Sequence, residues 1–241
     1  MLNKEFILIT GVNSDLGFST ALELSKKHAL LLSGRDTTEL NILKEKLTNS
    51  SSHLIWEIDL LESQVDFKFS SFLDENNIEI KGFIHFAGYF NITPLRLVKE
   101  KEIFNSFKIN IISAIQISSV LSKKKYRKKL KNIIFISSIS AIRGKPGFSV
   151  YASAKSALLG LTKNLAIELA PVHVNQLTLG AIYTKKTKNI LNPIKEDLDN
   201  HIPLKIGFSN QISNWVSFLI NNKDKWTTGQ EIIIDGGATT L

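Results

Sequence analysis

The stretch that decides the fold lies near the amino terminus, where residues 6–17 read FILITGVNSDLG. The residues from Phe6 to Thr10 form a short apolar and β-branched run that is typical of a buried strand. Turn residues from Gly11 to Ser14 follow, and a segment with helical spacing begins near Leu16. The sequence therefore predicts a strand, a tight glycine turn and a helix in immediate succession.

The rest of the chain repeats this alternation of short apolar runs and longer helical segments. Such strand–helix–strand units are typical of a parallel sheet covered by helices on both faces. We therefore expect an α/β fold, a single doubly wound domain over residues 1–241 with a central parallel sheet of about seven strands. The predicted strands are 6–10, 29–33, 54–58, 83–86, 133–137, 172–177 and 231–234, and the predicted helices include 16–27, 37–48, 103–121 and 149–169.

Residues 183–203 interrupt the alternation. They are polar, rich in lysine and contain Pro193. A weakly structured segment this late in an α/β domain is predicted to be a mobile, variable lid over the substrate site, or else a long surface loop.

The composition excludes several classes of protein. Hydrophobic residues make up 43% of the chain and charged residues 22%, as in an ordinary soluble globular protein. The absence of cysteine excludes disulfides, thiolate metal sites and cysteine nucleophiles. No apolar run approaches the ~20 residues of a membrane helix, and no secretory signal is visible. We expect a soluble, cytoplasmic protein without a membrane contact or a metal.

One segment carries most of the positive charge. The residues from Lys123 to Lys131 read KKKYRKKLK and hold seven positive charges in a chain whose net charge is +8. The simplest interpretation is a solvated helix end and turn. A second is a docking patch for an acidic partner, such as a carrier protein or a phosphorylated substrate. Nucleic acid is disfavoured, because Tyr126 alone offers a ring between these charges.

The glycine loop is suited to hold a pyrophosphate. A tight turn that opens a helix presents backbone N–H groups to an anion, and the helix dipole adds to the attraction. Gly11 permits the turn, and Gly17 permits close packing of the helix on the strand. A carboxylate at Asp15 would repel a pyrophosphate, so we expect Ser14 or Asp15 to cap the helix with its side chain turned into the backbone. The alternative is a capped turn that binds nothing.

The end of the second predicted strand bears on the choice of dinucleotide. An acidic residue at this place binds the adenine ribose, whereas a basic residue accommodates the 2′-phosphate of NADP. Here Gly34 takes the place of the acid and Arg35 follows, which favours NADP(H). Asp36 is one residue further on and competes for a ribose, so NAD(H) stays open. After the third strand, Asp59 and Leu60 are placed to meet the adenine.

The strongest chemical signal is the pair Tyr151 and Lys155 at the start of a long predicted helix. Residues four apart lie on one face of a helix. A neighbouring ammonium stabilises a phenolate and lowers the pKa of a tyrosine, which suits a proton-transferring residue. Ser138 directly follows a predicted strand, and its hydroxyl is able to hydrogen-bond the same substrate oxygen.

With these motifs the chain resembles the short-chain dehydrogenase/reductase family, in its single-domain form of about 250 residues. The resemblance covers essentially the whole chain and implies a Rossmann-type fold. The matching positions are the loop from Thr10 to Gly17, Asp59, Ala87-Gly88, Asn110, Ser138, Tyr151, Lys155 and the closing TGQEIIIDGG of residues 228–237.

The resemblance implies a catalytic tetrad and a set of cofactor contacts. Tyr151 would donate or accept the proton, and Ser138 would hold and polarise the carbonyl. Lys155 would bind the nicotinamide ribose and lower the pKa of Tyr151, while Asn110 would hold a water in the proton relay. The implied cofactor contacts are Gly11, Asn13, Ser14, Asp15, Leu16, Gly17, Arg35, Asp59, Leu60, Ala87, Gly88, Tyr151, Lys155, Ile182 and Thr184.

The chain departs from the family pattern at four places. Asp15 replaces the middle glycine of the loop, and Leu179 replaces the proline after the sixth strand. His85-Phe86 replaces a pair of asparagines that would brace the sheet; we expect His85 to be packed or hydrogen-bonded rather than an extra acid–base. The turn at residues 170–175 is about two residues short, so we expect a tightened helix–strand connection.

The resemblance is greatest to the beta-ketoacyl-carrier-protein reductase branch. It implies an NADP(H)-dependent enzyme that moves a hydride between nicotinamide and a carbonyl/alcohol pair, with a 3-oxoacyl thioester on a carrier protein as the favoured substrate. A sugar or polyol dehydrogenase is the alternative within the family. A non-catalytic dinucleotide-binding regulator is the alternative of another class, but the intact tetrad argues against it.

Relatives of this kind form homotetramers or homodimers. Pairing would use the helices at 103–121 and 149–169 and the last strand. An apolar face at Ala157, Leu161, Leu165 and Leu169 suits such pairing, although it would equally suit packing on the subunit's own sheet.

Overall fold

A parallel seven-stranded sheet organises the molecule, as the alternation of elements predicts. The structure, a computed structural model, describes residues 5–221 and 226–240. In spatial order the strands of this sheet are β3 (Leu54–Glu57), β2 (Ala29–Gly34), β1 (Glu5–Thr10), β4 (Glu79–His85), β5 (Asn132–Ser138), β6 (His173–Leu179) and β9 (Glu231–Ile234). Every neighbouring pair in the sheet is parallel. The predicted fold class is confirmed.

Helices cover both faces of the sheet because the central strands are apolar on both faces. In β1, Phe6 and Leu8 face one apolar cluster, whereas Ile7 and Ile9 face the other. The helices are α1 (Asp15–Ser25), α2 (Thr37–Glu45), α3 (Val65–Glu75), α4 (Glu100–Phe107), α5 (Ser113–Ser122), α6 (Ser149–Glu168), α7 (Lys188–Leu191), α8 (Lys195–His201) and α9 (Ser209–Asn221). Helices α3, α5 and α6 contribute side chains to the cluster that contains Phe6 and Leu8. Helices α1, α2 and α9 contribute side chains to the cluster that contains Ile7 and Ile9.

The topology places a crevice at the carboxyl ends of β1 and β4. The chain leaves β1 to build β2 and β3 on one side, then crosses back to β4 on the other side. Such a reversal opens a gap above the sheet, since the connections leave in opposite directions. The glycine loop after β1 and the segment after β4 therefore border the same gap.

The central helix is interrupted, which the sequence did not predict. Instead of one helix over 103–121, a π-helical turn at Lys108–Ile112 separates α4 from α5. The Asn110 side chain donates to the Ser106 carbonyl at 2.9 Å, and a ring nitrogen of His85 lies 3.1 Å from the Ile109 carbonyl. These contacts take up carbonyl groups at the turn where the regular helical ladder widens.

The late polar segment is more structured than expected. Residues 183–203 contain α7 and α8, and a two-stranded sheet of β7 (Ile182–Tyr183) and β8 (Gly207–Phe208) joins the segment to the body. A small apolar cluster that includes Leu191 and Ile202 packs beneath it. The prediction of a weakly structured stretch is therefore wrong, because these apolar side chains form a core of their own. The tight 170–175 turn is present, with the Val172 N–H donating to the Leu169 carbonyl at 2.9 Å.

The basic segment lies at the amino ends of the strands. Lys129 pairs with Glu5 at the start of β1 at 2.9 Å, and Lys125 pairs with Asp74 at 2.7 Å. The Lys131 N–H donates to the Lys81 carbonyl at 2.8 Å. The crevice opens at the carboxyl ends of the strands. An acidic partner bound to the basic segment would therefore lie at the opposite end of the strands from the crevice of the same subunit.

The proposed apolar face on the long helix is largely internal. Leu165 and Leu169 are buried in the core, and Leu161 packs against it. Of that set Ala157 alone is exposed. The alternative that these leucines pack on their own sheet is therefore the correct one.

Candidate active site

A cavity of about 810 Å³ occupies the crevice. Its lining includes Ser14, Asp15 and Leu16 at the start of α1, and Ser138 and Tyr151. Residues of the 183–203 segment also line it. A single cavity thus connects the glycine loop with the predicted proton-transferring residue.

Ser138 and Tyr151 meet because the end of β5 faces the first turn of α6. The Ser138 hydroxyl hydrogen-bonds Tyr151 and lies 2.7 Å from the Ser140 hydroxyl. Phe90 and Phe148 stand edge-on to the Tyr151 ring, with centroids 5.1 and 6.5 Å away. These rings hold the phenol in place and exclude water from its surroundings.

Lys155 lies one turn beyond Tyr151 and is almost completely buried, with 4% of its surface exposed. Its Nζ donates to the Ile136 carbonyl at 2.8 Å and lies 5.9 Å from the Tyr151 ring centroid. Burial lowers the pKa of Lys155 to about 7, because it disfavours the ammonium. The residue is therefore held in the cavity floor with its proton easily lost.

The expected lowering of the Tyr151 pKa does not occur in this state of the protein. Burial raises the pKa of Tyr151 to about 12, and the hydrogen bond with Ser138 opposes this only in part. The same apolar surroundings disfavour the Lys155 ammonium and lower the pKa of that residue. Tyr151 is consequently a protonated donor at neutral pH.

Asn110 is fixed by the π-helical turn. Its Nδ2 donates to the Tyr89 carbonyl and to the Ser106 carbonyl, both at 2.9 Å. Its Oδ1 is buried without a hydrogen-bond partner. A methyl group built on Gly88 would come within 3.2 Å of this oxygen and 3.7 Å of Lys155 Nζ. Glycine at position 88 therefore keeps open a small space between the asparagine oxygen and the lysine.

The glycine loop has the predicted capped form. The Gly17 N–H donates to Ser14 Oγ at 3.1 Å, so Ser14 is the cap. Gly11 adopts φ +67°, and a Cβ there would lie 2.6 Å from the Ala87 nitrogen. A Cβ at Gly17 would lie 2.5 Å from the Gly11 carbonyl oxygen. Both glycines are thus required by close backbone packing.

Asp15 does not turn into its own helix, contrary to one of the two expectations. Its carboxylate accepts a hydrogen bond from the Lys185 N–H, in the 183–203 segment. Ser14 already satisfies the helix terminus, so the Asp15 side chain is free to reach this distant donor.

At the end of β2, Arg35 is followed by Asp36, whose carboxylate is already hydrogen-bonded to backbone N–H groups. Asp36 caps α2, accepting from the Thr38 and Glu39 N–H groups at 2.8 and 3.1 Å. Arg35 is exposed. The Glu39 carboxylate accepts from Asn13 Nδ2 at 3.0 Å, which brings a negative charge to the same corner. Asp36 is therefore not the competitor for a ribose that the sequence suggested, whereas Glu39 is a nearby carboxylate.

His85 is a structural residue, as expected. It is fully buried, its Nδ1 lies 2.8 Å from the Thr10 hydroxyl, and its Nε2 lies 3.1 Å from the Ile109 carbonyl. Burial, with the nearby Lys155 charge adding to it, lowers the pKa of His85 to about 3. A neutral imidazole thus links β1, β4 and the π-helical turn.

Only some of the predicted catalytic and cofactor-binding residues line the cavity. Leu60 is buried in the core, and the Asp59 carboxylate accepts the Leu61 N–H at 3.0 Å, so both serve the turn after β3. The predicted residues that line the cavity are Ser14, Asp15, Leu16, Gly88, Ser138, Tyr151, Lys155, Ile182 and Thr184. Those that do not are Gly11, Asn13, Gly17, Arg35, Asp59, Leu60, Ala87 and Asn110.

Several lining residues had not been predicted. Phe86, Phe90, Phe148 and Arg143 all border the cavity. Arg143 Nη1 donates to the Ala238 carbonyl at 2.7 Å, which holds the arginine at the rim. The sequence contains no periodic signal for these residues, because they lie in the irregular segments after β4 and before α6.

The comparisons with known proteins agree on one family. A family model described as Enoyl-(Acyl carrier protein) reductase matches residues 11–239. The 3-oxoacyl-[acyl-carrier-protein] reductase FabG of Buchnera aphidicola subsp. Schizaphis graminum is 30% identical, covering 98% of each chain. The corresponding FabG of Thermotoga maritima is 27% identical, again covering 98% of each chain.

Solved structures share the fold. A 4-hydroxyisoleucine dehydrogenase complexed with NADH superimposes with a TM-score of 0.90 at 24% identity, covering 98% of this chain and 99% of that one. Among the described residues, no helix has both the length and the apolar character needed to cross a bilayer.

Proposed function

The chain belongs to the short-chain dehydrogenase/reductase family of oxidoreductases, and from this premise we propose that it is an NADP(H)-dependent reductase of 3-oxoacyl thioesters. The observation that carries the proposal is the single cavity that joins the capped glycine loop to Ser138, Tyr151 and Lys155. An anion site and a proton donor on one cavity wall are what hydride transfer from a dinucleotide requires.

The residues present fit a nicotinamide dinucleotide. Asp15 and Leu16 in the first turn of α1 line the cavity, and their N–H groups precede the first intrahelical hydrogen bond, whereas the Gly17 N–H is taken by Ser14. The orphaned Asn110 oxygen and the space beside Gly88 lie next to Lys155, where a ribose hydroxyl and a water are to be held. The bound dinucleotide would supply the hydride.

The residues of the chain then supply orientation and the proton. The Ser138 hydroxyl donates a hydrogen bond to the substrate carbonyl oxygen and polarises it. Tyr151, protonated because its pKa is about 12, donates its proton to the same oxygen as negative charge develops there. Lys155 and a water on Asn110 Oδ1 return a proton to Tyr151. The buried Lys155 suits this relay, since its pKa near 7 allows it to lose a proton readily.

The shape of the cavity supports an acyl substrate. Ile190, Leu191 and Leu198 of residues 183–203, which we call the lid, line the cavity together with Phe148. Arg143 also lines it and is exposed. An apolar interior accepts an alkyl chain, and a basic rim attracts the phosphate of a carrier arm. The curated relatives named above are reductases of carrier-bound 3-oxoacyl groups, which agrees with this choice.

The test is a comparison of substrates and cofactors. Oxidation of NADPH and of NADH is followed by absorbance with 3-oxoacyl thioesters of increasing chain length and with a panel of keto-sugars. We expect NADPH-dependent turnover that improves with chain length until the lid wall is filled. Turnover of keto-sugars alone would replace the proposal with a sugar or polyol dehydrogenase.

One observation favours NAD(H) over NADP(H) as the cofactor. Glu39 brings a carboxylate close to Asn13 at the end where a 2′-phosphate would bind, which favours NAD(H). If NADH binds more tightly than NADPH, and Glu39→Gln reverses the order, the proposed preference for NADP(H) is wrong while the reductase remains.

A further inference from the structure

The contact between Asp15 and Lys185 joins the glycine loop to the lid. Asp15 belongs to the first turn of α1, directly after the glycine loop, and Lys185 belongs to the lid. Asp15, Thr184 and Lys186 all line the cavity, so the contact lies at its border. The two partners are 170 positions apart in the chain. A hydrogen bond here fixes how far the lid stands from the glycine loop.

The lid residues around this contact form a rigid turn. The Thr184 N–H donates to Thr187 Oγ1 at 2.9 Å, and that hydroxyl donates to the Ile182 carbonyl at 2.7 Å. The Lys188 N–H donates to the Thr184 carbonyl at 2.8 Å. Because the turn is held by its own hydrogen bonds, the Lys185 N–H is directed as part of a fixed unit toward the Asp15 carboxylate.

The far end of the lid is tied to the body independently. The Leu204 N–H donates to the Gly236 carbonyl at 2.9 Å, and the Ile206 N–H donates to the Asp199 carboxylate at 3.0 Å. The lid is therefore anchored at its carboxyl end by its own contacts and by Gly236, and at its amino end by the pairing of β7 with β8. The bond to Asp15 adds a separate tie, between the turn at Lys185 and the glycine loop.

We propose that Asp15 is a positioning residue that latches the lid over the bound dinucleotide. The glycine typical of the family has no side-chain acceptor, whereas the carboxylate reaches across and is favoured at the helix amino terminus. This explains why a residue that would repel a pyrophosphate stands in the loop: its charge is directed at the lid N–H. The claim that the latch covers a dinucleotide rests on the proposed function; the latch itself does not.

The first arm of the test examines the latch without any nucleotide. Amide hydrogen exchange is measured at Lys185 in the wild type, Asp15→Ala and Asp15→Asn. The asparagine amide oxygen accepts the same N–H without the charge. We expect about tenfold faster exchange in Asp15→Ala and a rate within about twofold of wild type in Asp15→Asn. Equal rates in all three proteins would overturn the latch.

A matched control removes a like charge elsewhere. Asp66 is the acidic residue in the first turn of α3 and lies outside the cavity wall. We expect Asp66→Ala to leave the exchange at Lys185 unchanged. Faster exchange in this variant as well would mean that helix charge, and not the Asp15 bond, governs the lid.

The second arm measures release of the cofactor. The dissociation rate of NADPH is followed by stopped-flow fluorescence in the same four proteins. We expect release about five- to tenfold faster from Asp15→Ala and near wild type from Asp15→Asn. Slower release from both Asp15 variants would mean that the carboxylate only repels phosphate, which overturns the latch. Failure of the wild type to bind NADPH and NADH would refute the proposed function, while the exchange arm would still decide the latch.

Discussion

At the scale of single residues, burial controls the chemistry of Tyr151 and Lys155. Both side chains lie in an apolar pocket that disfavours their charged forms, so the pKa of the tyrosine rises and that of the lysine falls. A protonated phenol beside a readily deprotonated amine is arranged for reduction of a carbonyl, in which the phenol is the donor.

Replacement of Tyr151 by phenylalanine removes the proposed proton donor and little else. We expect kcat to fall at least about a thousandfold, because general acid catalysis contributes roughly that much. The Kd for the nucleotide should change less than about threefold. Steady-state kinetics and nucleotide fluorescence check the two values. Full turnover by Tyr151→Phe would remove the tyrosine from the mechanism.

Because burial lowers the pKa of Lys155, we expect the stability of the fold to depend on pH. Its pKa is about 7 in the folded protein and near 10.5 in the unfolded chain. Between these values the unfolded chain binds more protons, so the free energy of unfolding from this group rises with pH by up to ~1.4 kcal/mol per unit. Urea denaturation from pH 7 to 10 should show this rise in the wild type and lose it in Lys155→Met. The exposed Lys128→Met serves as the control and should keep it.

We expect Arg35 to determine the discrimination between NADPH and NADH. Its guanidinium is the cation at the end of β2, where a 2′-phosphate would bind. We expect Arg35→Ala to raise the Kd for NADPH about tenfold or more and to leave the Kd for NADH nearly unchanged. Equal weakening of both cofactors would show that the arginine does not bind the 2′-phosphate.

At the scale of elements, His85 couples the sheet to the interrupted helix. Replacement by alanine leaves the Thr10 hydroxyl and the Ile109 carbonyl without their partner, and a loss of ~2–4 kcal/mol in the free energy of unfolding is expected. The π-helical turn that carries Asn110 should shift. We therefore expect kcat per folded molecule to fall at least about fivefold, as measured by kinetics at a temperature where the variant is folded.

His53 provides the matched control for this prediction. It is also fully buried, and its ring contacts the Leu30 N–H and the Thr48 carbonyl at 3.1 and 2.9 Å. His53→Ala should lose similar stability, yet retain the wild-type kcat. If both variants keep kcat, His85 stabilises the fold without positioning Asn110.

At the scale of the whole molecule, exposed apolar side chains predict self-association. On α4, Ile103 and Phe104 are 43% and 55% exposed, and on α5 Ile115 is 45% exposed. Apolar patches of this kind mark contacts between subunits. We expect a mass of two or four subunits by light scattering, and a smaller species for Phe104→Asp. Phe67→Asp, at an exposed site on α3, should leave the mass unchanged.

The sequence by itself determined the features that depend on neighbours along the chain. The strand, glycine turn and helix at residues 6–17 follow from local hydrophobic pattern and turn chemistry. Tyr151 and Lys155 share a helix face because of their spacing, and Ser14 caps its helix because the first free N–H groups are three residues away. The parallel arrangement of the strands follows from the alternation of strands and helices.

The tertiary structure alone decided the features that depend on residues distant in the chain. The partner of Asp15 is a backbone N–H 170 residues away, and the partners of His85 lie on β1 and on the central helix. The pKa of Tyr151 reverses its expected direction because desolvation depends on everything packed around the phenol. Such effects arise from three-dimensional packing, which brings together groups that no local pattern relates.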